Sequence, residues 1–353
     1  MKSKVYFISV KESDSREVIR SKFIKLLDQS TILDCVSQDE KVAIKLHFGE
    51  EGNTGFVSPV YVKEVVQRIN TRKAEAFITD TNTLYRGRRA VTEEHLEIAR
   101  EHGFSEEATG AKIKIADGEN LDILINQKFI KVAHIAPFFK EVDTIIDVAH
   151  FKGHIMTGFG GALKNIGMGC ASREGKLSQH SDVSPIIMVD ACIGCGNCVN
   201  VCPVNAISLK NDVACIDGDK CIGCASCIAV CPNHAIDVNW ESGGDCLQEK
   251  MIEYASAVLQ KLKKKFAFIN FALKITKECD CLAKDDPRIA PDVGILASSD
   301  PVSVDKASLD LVAKACGKDI FKEVHPERNG MKQLNYAKEL GLGSLEYELV
   351  EIK

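Results

Sequence analysis

The sequence predicts an α/β fold, a mostly parallel sheet flanked by helices, with a smaller α+β unit inserted along the chain. Two observations carry this. Short apolar runs rich in β-branched residues alternate with amphipathic stretches on both sides of residues 185–239, which is the rhythm of repeated strand–helix–strand units. Residues 185–239 break that rhythm and hold two near-copies of one cysteine string, the mark of a duplicated unit with its own chemistry.

The elements follow in order. Residues 5–10, 42–46 and 76–79 read as strands, with helices expected over 15–27 and 59–70 between them and over 92–102 after them. Further strands are expected at 112–115, 129–133 and 144–148, separated by polar turns such as Asp117-Gly118-Glu119-Asn120. The alternation stops at the glycine-rich stretch that begins near Gly153, and residues 178–184 read as a polar link. Within the smaller unit, 206–209 and 213–216 flank Lys210-Asn211-Asp212 and read as a hairpin. A long amphipathic helix over 246–264 follows, then an apolar run at 266–273 and a buried strand at 292–297. Asp300 caps a helix over 300–315 that has Pro301 at its first position. A last helix at 331–340 and a strand at 345–352 close the chain. Because the two flanks share one character, residues 1–184 and 240–353 are expected to be the first and second parts of one α/β domain, and 185–239 the insertion; two separate α/β domains are the alternative.

The two strings are Cys192-Ile-Gly-Cys195-Gly-Asn-Cys198-Val-Asn-Val-Cys202-Pro203 and Cys221-Ile-Gly-Cys224-Ala-Ser-Cys227-Ile-Ala-Val-Cys231-Pro232. A cubane cluster takes one thiolate per iron, and a Cys-x-x-Cys-x-x-Cys loop wraps three of its corners. In two-cluster ferredoxins the fourth cysteine of each string, followed by proline, crosses to the other cluster. The spacing therefore assigns Cys192, Cys195, Cys198 and Cys231 to one 4Fe-4S cluster, and Cys221, Cys224, Cys227 and Cys202 to a second. The repeat extends past the ligands, since Val204-Asn205-Ala206-Ile207 maps onto Asn233-His234-Ala235-Ile236. Zinc, the competing metal for paired Cys-x-x-Cys motifs, closes tetrahedra of thiolates and histidines and requires no Cys-Pro ending on both repeats.

At 353 residues the chain is long enough for two or three compact units. With a net charge of −5, nothing in the composition suggests non-specific attraction to nucleic acid or anionic lipid. No stretch reaches membrane-spanning length, and the run that begins at Met1 is too short for the apolar region of a signal peptide. Fifteen cysteines would indicate disulfides in a small secreted domain. In a long chain that commits eight of them to clusters they indicate a reducing compartment, so the expected location is cytoplasmic.

A second candidate site is the loop His150-Phe151-Lys152-Gly153-His154-Ile155-Met156-Thr157-Gly158-Phe159-Gly160-Gly161-Ala162-Leu163-Lys164-Asn165, which follows a predicted strand. Loops at the carboxyl ends of parallel strands are where open α/β sheets bind ligands. It matches neither common nucleotide loop, because Asn165 follows Lys164 and Leu163 replaces the third glycine of the dinucleotide pattern. Its glycines can bring backbone N–H groups to an anion, with a helix starting near Gly161 or Ala162 adding its positive end. His150 and His154 suit metal ligation or acid–base work, and Lys152 or Lys164 suits a carboxylate or phosphate. The same residues also fit an ordinary tight turn. Cys35, Cys215 and Cys316 read as small core residues. Cys170, Cys279 and Cys281 lie in turn-rich segments beside charges and are candidates for a third metal site or for thiol chemistry. Asp80-Thr81-Asn82-Thr83 follows another strand, where turn-building is the favoured reading over contact with a ligand.

These segments together resemble the domain-of-unknown-function family 362, in its form with an inserted two-cluster ferredoxin module. The likeness runs through residues 78–85, 150–165, 167–173, Cys279-Asp280-Cys281 and 291–302. It implies an α/β domain carrying clusters, with no established reaction. Two functions are expected to compete, ahead of a third in which the clusters are only structural cross-links. One is electron transfer by the two 4Fe-4S clusters to or from a redox partner protein or a ligand of the α/β domain, with no nucleic acid or membrane involved. The other is a redox enzyme, an oxidoreductase whose substrate or metal site uses His150, His154, Lys164, Cys170, Cys279 and Cys281.

Overall fold

The computed structural model describes residues 2–84, 87–180, 185–221, 226–237 and 246–353; the predicted ligand Cys224 lies outside them. In chain order the main elements are β1 (Ser3–Ser9), α1 (Arg16–Ser30), β2 (Lys41–Lys45), α2 (Pro59–Thr71), β3 (Glu75–Asp80), α3 (Thr92–Glu101), β4 (Lys112–Ile115) and β5 (Thr144–His150). They continue with α4 (Ala162–Gly167), α5 (Arg173–His180), α6 (Leu247–Ser256), β6 (Lys265–Ala272), β7 (Gly294–Ser298), α7 (Pro301–Cys316), α8 (Met331–Glu339) and β8 (Tyr347–Glu351). The eight strands form one sheet in the order β8-β1-β7-β6-β5-β2-β3-β4. All neighbours are parallel except the two pairings of β7. The expected α/β class, a mostly parallel sheet flanked by helices, is what the chain adopts. β7 departs from it because the segment between it and β6 contains no crossover helix, and a strand that returns without one runs antiparallel.

Every residue of β5 is buried, as a central strand covered on both faces requires. Its alternate residues enter different cores. Ile145 joins the cluster built with Ile252, Val304 and Leu334 of α6, α7 and α8, and Ile146 the cluster built with Phe23 and Val65 of α1 and α2. Chain order reverses between β2 and β5: β3 and β4 extend the sheet one way, β6 and β7 the other. That arrangement opens a crevice beyond the carboxyl ends of β2, β3 and β5.

Several sequence expectations shift. The strand read at 129–133 lies at Val132–Ile135 and pairs with Leu121–Leu124 off the main sheet. The link read at 178–184 is still helical to His180, because α5 continues through Leu177, which is buried. The glycine-rich loop contains a short hairpin of Lys152–His154 and Gly158–Gly160. The described part of 185–239 pairs Ile186–Ile187 with Ile236–Asp237, and Ile207–Lys210 with Val213–Ile216. Asn211 and Asp212, both at positive φ, make the two-residue turn of the second pair. No helix among the described residues is long and apolar enough to cross a membrane.

Candidate functional site

The cysteine-rich unit is organised by its repeat. Asn205 and His234, equivalent positions of the two copies, both adopt left-handed backbone with φ of 51°. Each turn presents the next N–H to a sulfur: Ala206 N–H donates to Cys202 Sγ at 3.1 Å and Ala235 N–H to Cys231 Sγ at 3.1 Å. Ala214 N–H donates to Cys192 Sγ at 3.4 Å. Cys192, Cys195, Cys198 and Cys231 line one small cavity of about 20 Å³. Cys198 and Cys227 pack with Ile207, Ala214, Ile228 and Ile236 in a hydrophobic cluster of their own, which also takes in Leu84 and Leu177 of the α/β domain.

A much larger cavity, about 490 Å³, lies in the crevice at the strand ends. Lys45 and His47 come from the end of β2, Asp80 and Thr81 from β3, and His150 and Lys152 from β5. The glycine-rich segment adds His154, Lys164 and Asn165, and α5 adds Lys176 and His180. Leu84 lines it too, so one side chain touches both the cavity and the cysteine cluster.

Apolar side chains make up much of the lining, but among its charged residues cations outnumber acids, and buried acids hold them in place. Asp80 pairs with Lys45 at 3.1 Å and with Arg89 at 2.8 Å. Burial would raise its carboxyl, but Lys45 and Arg89 outweigh burial and keep it well below the usual range. The preference for a turn role at Asp80 therefore gives way to an ionic one. Asn165 accepts from Lys45 Nζ at 2.9 Å and donates to Asp147 at 2.7 Å, tying the loop to β2 and β5. On the other side His150 Nδ1 lies 2.9 Å from both Asp280 oxygens and Lys152 lies 3.3 Å from Oδ2. Lys176 donates to the Ala171 carbonyl at 2.9 Å and to Thr81 Oγ1. Burial pushes its amine down to about 7, against the opposing pull of Asp80. Such a lining fits an anionic ligand.

The predicted site residues partly converge. His154, Cys279 and Cys281 place their donor atoms within 4.8 Å of one another, close enough to share one metal ion. Lys164 Nζ is 3.6 Å from Cys279 Sγ. Cys170 stands outside that group. It is fully buried in the apolar core behind α4, and burial drives its thiol well up. The N–H groups that open α4 are likewise not free for a ligand: Ala162 and Leu163 donate to the Asp305 carboxylate at 2.7 and 2.9 Å. Lys45, His47, Arg89, Lys176 and His180 were not singled out from the sequence. The available signal was a lone charge ending an apolar strand, as at Lys45 and Asp80.

The family pattern described as Domain of unknown function (DUF362) matches residues 42–310, more than half of the chain. The chain belongs to that family. Among curated proteins, none matches this DUF362 sequence. Among solved structures it is similar to a Thermotoga maritima protein, with 12% identity and a TM-score of 0.40, over 89% of this chain and 60% of that one. It is also similar to the lactate racemase apoprotein from Thermoanaerobacterium thermosaccharolyticum, with 15% identity and a TM-score of 0.39, over 76% of this chain and 50% of that one. The DUF362 chain thus spans less than two thirds of either structure's length, and similarity at this level transfers no function.

Proposed function

We propose that this DUF362 chain is an iron–sulfur protein that binds two 4Fe-4S clusters within residues 185–239 and exchanges electrons with an anionic ligand in the basic cavity of its α/β domain. The observation that carries the reading is the small cavity shared by Cys192, Cys195, Cys198 and Cys231. There the three leading cysteines of one string meet the last cysteine of the other, as cross-ligation demands. The donor chemistry agrees, because among the described residues no histidine or carboxylate lines that cavity. The N–H groups of Ala206, Ala214 and Ala235 also face sulfur, and such bonds stabilise thiolates. Bound clusters supply single electrons at potentials tuned by these hydrogen bonds and by burial.

The route to the cavity is short. Leu84 touches both sites, and α5 turns Leu177 to the cysteine cluster while Lys176 and His180 line the cavity. Strands before and after residues 185–239 belong to one sheet, which supports reading that stretch as a module inserted between residues 1–184 and 240–353 of a single domain. A cytoplasmic redox partner protein would load it.

Anaerobic reconstitution tests this directly. The full chain is expected to take up roughly eight irons and eight acid-labile sulfides, in two clusters of four each. Cys231→Ser should damage one cluster, seen as lost iron or a three-iron signal in electron paramagnetic resonance, and spare the other. Stoichiometric zinc without sulfide would overturn the reading.

A further inference from the structure

The geometry points to a redox-active cysteine pair: Cys279 and Cys281 close and open a disulfide at the wall of the basic cavity. The proposal goes beyond the reading above and depends on it only for the source of electrons. With one residue between them, the two Cα atoms lie within about 7 Å of each other, the span a disulfide bridges. Their sulfurs already lie within 4.8 Å. The intervening Asp280 is clamped: His150 and Lys152 hold its carboxylate, and its carbonyl accepts Glu50 N–H at 3.0 Å. The pair thus sits on a fixed backbone. Cys281 lines the cavity, while Cys279 is buried beside the Lys164 ammonium. The Lys164 ammonium, 3.6 Å from Cys279 Sγ, favours a thiolate there, so the reduced pair is one thiolate and one thiol.

His154 decides between this and a metal site. Its Nδ1 accepts N–H bonds from Met156 at 3.1 Å and Thr157 at 3.3 Å. A ring nitrogen that accepts carries no proton, so the proton of the neutral ring sits on Nε2. One nitrogen has its lone pair engaged and the other carries hydrogen, which leaves neither for a metal. Two sulfurs alone do not complete a tetrahedral site.

The step balances. The disulfide, two electrons and one proton give the Cys279 thiolate and the Cys281 thiol; the S–S bond breaks, and the proton goes to Cys281. The two reduced clusters supply one electron each, so the pair converts single-electron delivery into a two-electron store; closing the disulfide is the reverse step, with the Cys281 proton released and one electron returned to each oxidised cluster.

The test uses the full chain, held without oxygen in dithiothreitol redox buffers, alkylated, and digested with trypsin. Cleavage after Lys277 and Lys284 places both thiols in one peptide. The expected result is a single two-electron transition in that peptide, with Cys35 and Cys170 staying reduced. Lys164→Met should favour the disulfide by about tenfold, lowering the midpoint by about 30 mV. A pair that stays alkylatable at the oxidising limit would overturn the proposal. So would equimolar zinc that shields both thiols and shows sulfur and nitrogen neighbours at the zinc absorption edge. Photoreduction by a deazaflavin without added thiol tests the electron source separately. A disulfide that titrates normally yet survives illumination would uphold the pair and remove its link to the clusters.

Discussion

Replacing Asp80 by asparagine should act on stability and on ligand binding with opposite signs. The side chain is 4% exposed and sits between Lys45 at 1% and Arg89 at 2%. Its Oδ1 also accepts Thr81 N–H at 2.8 Å. Asparagine keeps the shape but leaves two buried cations facing a neutral amide, and breaking a buried pair from one side costs about 3–5 kcal/mol. That corresponds to roughly two to four decades in the equilibrium for opening β2 and β3. Hydrogen exchange read by mass spectrometry over residues 41–46 and 75–81 measures it. Faster exchange by that factor is expected, with residues 301–316 unaffected unless global unfolding takes over. The same substitution removes a negative charge from the cavity wall, so sulfate, used as a simple anion, should bind more tightly. A stability loss below about 1 kcal/mol would refute the reasoning, since the Glu50 carboxylate 3.7 Å from Arg89, with His47 and Asn165, would then suffice to compensate the cations.

Lys176 gives a pH signature. Its amine is pushed down to about 7, so sulfate affinity should fall as pH rises through neutrality in the wild type and stay flat in Lys176→Met, as read by titration calorimetry at constant ionic strength. The linkage has a definite sign. From about 7 to the ordinary lysine value of 10.5 the unfolded chain holds a proton that the folded chain has released, so this group makes folding more favourable as pH rises across that window. Gly175→Ala tests how α5 is seated. An added Cβ would lie 2.3 Å from the His134 carbonyl oxygen and 2.8 Å from the Tyr254 ring. Overpacking of this kind costs about 1–3 kcal/mol. Because the shift moves Lys176, sulfate binding should weaken along with the melting temperature, and retained affinity would show that α5 does not position that lysine.

What the sequence disclosed follows from how local each signal is. β2, β3 and β5 were legible because strands covered on both faces carry near-continuous apolar runs, and α7 because Asp300 and Pro301 announce its start; Asp300 does accept Ser303 N–H at 2.9 Å. The direction of β7 was hidden, since it depends on the path of the preceding connection. In the site, His150, His154 and Lys164 stood out as polar residues among glycines after a buried strand. Lys176 and His180 did not, because on a short helix they look like surface charges, and only packing turns them inward. Cys170 shared its turn-rich context with Cys279 and Cys281; what separates them is burial behind α4, a property of the assembled layers. Asp305 was invisible as the anion for the glycine loop because it arrives from α7, far along the chain.

The connectivity around residues 185–237 bears on why a cysteine unit sits where it does. α5 ends at His180 on the cavity wall, and Leu247, the first residue of α6, lines the same cavity. Between them Ile186–Ile187 pairs with Ile236–Asp237, drawing the two ends of the stretch together. Both ends of the unit are therefore anchored at the cavity. Adding electrons to a bound anion builds negative charge. In a crevice walled by Lys45, Arg89, Lys152, Lys164 and Lys176 that charge meets cations already oriented by Asp80, Asp280 and Asn165. Fixed cations in a crevice act far more strongly than solvated ones, because they need no reorganisation and are little screened. Clusters bound there as proposed would reduce what the cavity holds in preference to what diffuses past, and the cation wall would select what that is.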